Sequence, residues 1–101
     1  MNHNLYQEIA DGINQTVGRK AVTVGKLKQI VKEGKQIRRT QGMMALWQYA
    51  QNIPYRFLTS EEAEMLRNSP RFRELSNKTL ELLVMEGVIT PLEGKMFRRY
   101  I

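Results

Sequence analysis

Lys26 to Gln41 reads KLKQIVKEGKQIRRTQ, and the placement of its apolar and basic residues decides how the rest of the chain is read. Leu27, Ile30, Val31 and Ile37 recur at helical spacing, as on a helix with one face turned to a core. Lys28, Lys32, Lys35 and Arg39 follow at i, i+4, i+7 and i+11. At 100° per residue these four fall within about 60° of arc and form a row roughly 16 Å long. One segment thus specifies an amphipathic helix and a one-sided row of positive charge. Gly34 inside it costs about 1 kcal/mol relative to Ala, a cost that close approach to a neighbouring element would offset.

The charge around this segment is concentrated. Arg19 to Arg39 carries Arg19, Lys20, Lys26, Lys28, Lys32, Lys35, Arg38 and Arg39 against a single acid, Glu33, for a local net of +7. The whole chain is +6, so the remainder nets −1. A patch of this kind seeks a polyanion. An ordinary solvated helix face mixes both signs, whereas this row is nearly uniform. It is read as a binding face for nucleic acid or, in a competing reading, for an acidic surface of a larger protein.

A length of 101 residues sets a single domain, 1–101, with a modest core. Hydrophobic content of 42% and charged content of 26% are those of a folded chain, so general disorder is excluded. There is no cysteine, which excludes a disulfide scaffold and a thiolate zinc site. No apolar run approaches the roughly 20 residues of a membrane span, and Met1 to Gln7 lacks the apolar core of a signal peptide. The expectation is a soluble cytoplasmic protein with no membrane partner and no cofactor.

Working outward, Asn4 to Val17 reads as a first helix, with Leu5, Ile9 and Ile13 on one face beside Tyr6 and Ala10, ended by Gly18. Arg19 to Gly25 has two readings: a short β-branched strand, or a loop whose Thr23 caps the next helix. After Gly42, Met43 to Asn52 is the most apolar stretch and reads as a helix stopped by Pro54. Thr59-Ser60-Glu61-Glu62 is a capping box that starts a helix ending near Asn68. Ser69-Pro70 starts another, with Ser69 as N-cap and Phe72, Leu75, Thr79, Leu80, Leu83 and Val84 as its apolar face, closed by Glu86-Gly87. The last segment, Val88 to Ile101, is left with two readings. Thr90-Pro91-Leu92-Glu93 fits a second capping box and a terminal helix. Alternatively, Phe97, Arg99 and Ile101 alternate with Met96, Arg98 and Tyr100 in a hairpin turning at Pro91 to Gly94. The fold class is therefore mostly α, a small bundle of four or five short helices, with or without a C-terminal β-hairpin.

Thr79 to Ile89, reading TLELLVMEGVI, followed by Gly94-Lys95-Met96-Phe97-Arg98, resembles the end of a winged-helix domain over the C-terminal third of the chain. The resemblance implies a recognition helix ending at Glu86-Gly87, a basic β-hairpin wing after it, and DNA as the partner. The exposed side of that helix departs from the family's basic character, since Glu74, Glu81 and Glu86 stand beside Arg71, Arg73 and Lys78.

The expected binding face comprises Lys26, Lys28, Lys32, Lys35, Arg38 and Arg39, with secondary contacts from Arg71, Arg73, Lys78, Lys95, Arg98 and Arg99. Met43, Met44 and Leu46 are a candidate protein or dimer interface, because Met-rich surfaces adapt to partners. Trp47, Tyr49, Tyr55 and Phe57 are read as core packing rather than as base-stacking residues, Trp47 against Leu46, Ala50 and the following long helix. Catalysis finds no footing: His3 is the single histidine, Asp11 the single aspartate, and no phosphate loop or nucleophile–base pair is present. The expected protein is small, non-enzymatic and DNA-binding or regulatory, dimeric for added specificity. The competing reading is an inhibitor or adaptor, of the phage or plasmid kind, that docks on a larger protein such as a nucleic-acid enzyme.

Overall fold

The computed structural model describes residues 3–99. Within them the chain forms seven helices: α1 His3–Val17, α2 Val24–Gln41, α3 Met43–Asn52, α4 Pro54–Phe57, α5 Ser60–Arg67, α6 Phe72–Met85 and α7 Pro91–Arg98. No strand is present among the described residues.

The boundaries follow local chemistry. Gly18 ends α1 with φ 77°. The residues after it are held by Asn14 of α1, whose Oδ1 accepts from the N–H groups of Ala21 and Val22 and whose Nδ2 donates to the Val22 carbonyl. With their backbone groups satisfied, Ala21 and Val22 bury as a loop. Thr23 then caps α2 by accepting from the Lys26 N–H. Of the two readings of this stretch, the cap is the one realised. Both capping boxes form completely, Thr59 with Glu62 and Thr90 with Glu93. The long helix α6 starts at Phe72, two residues later than Ser69-Pro70 implies, because the Ser69 hydroxyl accepts from the Arg71 N–H within a turn. At its other end Gly87, at φ 76°, turns the chain so that its N–H bonds to the Val84 carbonyl and that of Val88 to the Leu83 carbonyl. This is a Schellman closure, and it buries Val88 against the helix it ends.

α1 lies at the centre, packed on α2, α5 and α6. Gly12 permits its approach to α6: a Cβ there would stand 2.4 Å from Leu75 Cδ2. Leu5, Tyr6, Ile9, Val31, Leu46, Leu82, Val88 and Ile89 form one buried cluster. Ala10, Ala21, Val22, Leu58, Ala63, Leu66 and Leu75 form a second, and Ile13 and Leu27 pack against both. The expected face of α6 omitted Leu82, which is 2% exposed. The helix is sandwiched between α1 and α7, so it buries two sides and a single-stripe reading misses one.

The wing is corrected by the structure. Val88 to Glu93 is a turn and the start of α7, not the first strand of a hairpin, and Lys95, Met96, Phe97 and Arg98 are helical. The Thr90 capping box satisfies two helix N-terminal donors at once, and Gly94 lets α7 lie on Val84 of α6. The Glu-Gly-Val-Ile closure that carried the winged-helix resemblance has its structural reason in the Schellman turn. Tyr100 and Ile101, the end of the expected second strand, lie outside the described residues.

Candidate polyanion-binding face

α2 runs unbroken from Val24 to Gln41, and Lys28, Lys32, Lys35 and Arg39 are all exposed on it. Its opposite side buries Ile30, Val31 and Gly34. Glu33, the single acid of the helix, lies about 130° around the axis from the row's centre. It is also engaged: Tyr49 Oη and Gln29 Nε2 donate to its carboxylate, as does Arg56 Nη1 at 2.9 Å. Those donors, the Tyr49 hydroxyl foremost, hold the Glu33 carboxyl down to about 2. Burial, reinforced by Glu33, pushes the Tyr49 phenol up to about 12. The acid that would dilute the row is turned away from it and neutralised elsewhere.

The basic run divides into two sets. Arg19 forks onto Glu62 at 2.6 and 2.7 Å and reaches the Phe57 carbonyl, fastening the loop before α2 to the cap of α5. Arg38 forks onto Glu93 at 2.7 and 2.9 Å and reaches the Val88 carbonyl, fastening α2 to α7. The Arg19 guanidinium, with the Thr59 N–H, holds the Glu62 carboxyl down to about 2, and Arg38 with the Thr90 N–H lowers that of Glu93. Among the described residues, Lys20, Lys26, Lys28, Lys32, Lys35 and Arg39 pair with no acid. Lys28 Nζ stands 5.8 Å from the Tyr6 ring centroid and Lys26 Nζ 5.5 Å from that of Phe57. These contacts steady the stems while leaving charge at the surface. Lys26 flanks α4, away from the row.

The other candidate residues are scattered. Lys78 bridges Glu8 at 3.3 Å and Glu74 at 3.1 Å, and Arg71 donates to Gln15, so both join α6 to neighbouring groups. Arg73 is exposed on the first turn of α6. Lys95, Arg98 and Arg99 are exposed on or just after α7, which the Arg38–Glu93 fork ties to the end of α2. Met44 is 73% exposed, but Leu46 is 6% exposed and belongs to the core, and Met43 is partly buried against that core, so the expected Met43–Met44–Leu46 face shrinks to Met44.

Trp47 is partly buried, stacked on Phe97 of α7 at 5.0 Å between centroids. Its partner is the residue that the hairpin reading placed in a strand. The pair borders an apolar cleft of about 90 Å³, lined also by Ile30, Leu46, Leu80 and Leu83. No group of three or more His, Asp or Glu side chains among the described residues is placed to hold a metal ion, and no described helix is long and apolar enough to cross a membrane.

Sequence reasoning missed the structural use of Arg19 and Arg38 and the Tyr49–Glu33–Arg56 cluster. Their partners lie 43, 55 and 23 residues away in the chain, and no local pattern signals such pairs. No family model, curated protein or solved structure matches this chain.

Proposed function

We propose that this protein is a small DNA-binding regulator that docks electrostatically through α2. The observation that carries the reading is the division of its cations: two arginines of the basic run are consumed in forks to Glu62 and Glu93, while Lys28, Lys32, Lys35 and Arg39 stand exposed in one row without an acid partner among the described residues. Four like charges held at 4–6 Å intervals on a rigid helix repel one another in the free protein. A polyanion relieves that repulsion and releases its own condensed counterions on binding.

The reading is tested by gel shift on duplex and single-stranded DNA at low salt, comparing the wild type with K32Q/K35Q. Binding at micromolar protein that weakens at least tenfold in the double variant is expected. No binding of either nucleic acid at micromolar protein and 50 mM salt refutes it.

A second reading, docking on an acidic face of a larger protein, draws on the apolar cleft beside Trp47 and on the exposed Met44 and Met96. In that case affinity purification after nuclease treatment retains the partner, and Met44→Ala costs more than K32Q/K35Q, because buried central residues carry most interface energy.

A further inference from the structure

We infer that the α2 row holds the phosphate backbone of duplex DNA without reading its sequence; this rests on the DNA-binding reading and specifies the ligand. Eleven residue steps from Lys28 to Arg39 span about 16 Å of helix axis, and duplex DNA presents one charge per about 1.7 Å. Four cations spread along that distance meet a continuous supply of phosphates in any register, so no particular base step is needed to place them.

Three of the row's four members are lysines, compact and strongly hydrated point charges on flexible stems that lack the rigid planar fork of arginine. The polar side chains flanking the row are mostly committed: Gln29 Nε2 donates to Glu33, and the Thr40 hydroxyl donates to the Gln36 carbonyl. Gln36 is the amide that remains beside the row, and one amide reads one base pair.

Proteins that hold single strands combine positive charge with aromatic rings on which bases stack. Among the described residues, the rings nearest α2, α3 and α4 are used elsewhere. Trp47 lies against Phe97, the Tyr49 hydroxyl is bound to Glu33, and Phe57 sits beneath Lys26 and Arg56. Tyr6, the ring nearest the row, is 5% exposed beneath Lys28. Tyr55 is exposed, but it is on α4 and accepts from Arg67. A row of charge with no stacking platform beside it among the described residues matches a stiff duplex backbone and gives a flexible strand nothing to order its bases.

The test is fluorescence anisotropy of the full chain with three labelled probes: two 20-bp duplexes of unrelated sequence and a 20-nucleotide oligo-dT, each titrated from 50 to 200 mM NaCl. The two duplexes are expected to bind within threefold of each other and oligo-dT at least tenfold more weakly. The log–log salt slope on duplex is expected near −3.6, four phosphates at −0.9 each, which is a loss of about 150-fold across that salt range. In K32Q/K35Q the slope falls to about −1.8, equally for both duplexes. Oligo-dT binding as tightly as duplex, or one duplex preferred by more than threefold, overturns this inference and leaves the DNA-binding reading standing. Failure to bind all three probes at 50 mM salt and micromolar protein overturns both.

Discussion

Replacing Arg38 by Met should damage the fold and spare the binding face, although Arg38 lies next to Arg39 in the densest part of the basic run. Its guanidinium makes two bonds to Glu93 and one, at 3.3 Å, to the Val88 carbonyl. The two side chains are 30% and 25% exposed, so the pair is worth more than a fully solvated ion pair and less than a buried one. Hydrogen bonds to charged groups contribute about 1.5–3 kcal/mol when desolvated, and partial solvation places the loss at about 1–3 kcal/mol. Unfolding entropy near 2.1 cal/mol/K per residue gives about 0.2 kcal/mol/K for a chain of this size, so Tm should fall by about 5–15 °C. The assay is thermal unfolding by circular dichroism at pH 7, with Glu93→Gln and the double variant completing a mutant cycle. The salt slope on duplex DNA should stay at the wild-type value. The fork holds the Glu93 carboxyl below its ordinary 4.5, so its stabilisation is present above that unfolded value. It is lost as pH falls through the lowered folded one, and the gap between wild type and R38M should therefore narrow below about pH 4. A Tm within 2 °C of wild type, or a slope reduced as much as by Lys35→Gln, would refute the division of the cations into structural and free sets.

Three further outcomes are expected. Leu82→Ala, at the 2%-exposed centre of the larger cluster, should cost about 2–5 kcal/mol in urea unfolding, and a loss under 1 kcal/mol would deny α6 its central role. Glu33 and Glu62, both held down to about 2, add to an acid limb of stability that is complete above 4.5 and is lost as pH falls toward 2. Arg19→Gln should flatten that limb, and unfolding curves at pH 2.5, 4 and 7 would show whether it does. Tyr49 should ionise near 12, above the ordinary 10. Absorbance titration at 295 nm should lose this late component in Tyr49→Phe and move it downward in Glu33→Gln.

Repulsion within the row bears on its construction. Four like charges at i, i+4, i+7 and i+11 destabilise a helix by tenths of a kcal/mol per pair. Thr23 caps α2, Gly34 seats it against Leu46 of α3, and Arg38 ties it to α7. These attachments offset the repulsion and hold the row straight in the absence of a partner. On the proposed DNA-binding reading, a row held in this way lowers the ordering cost of association.

Local chemistry alone determined much of this molecule. The period of Leu27, Ile30 and Val31, the Thr59 box, the glycine stops at Gly18, Gly42 and Gly87, and the exposure of Lys28, Lys32, Lys35 and Arg39 are all legible in the chain, because each depends on residues within about four positions. Tertiary structure decided the rest. Val88 to Ile101 could be read as hairpin or helix, and the choice is made by Glu93, which serves both the Thr90 cap and Arg38, 55 residues away. Leu46 reads like an exposed methionine-rich face until α2 and α6 close over it. The basic run reads as eight equivalent cations until long-range pairing withdraws Arg19 and Arg38. A residue's type fixes the bonds it can make, but which acid lies within 3 Å of an arginine depends on how helices far apart in sequence pack, and that packing is set by the whole core at once.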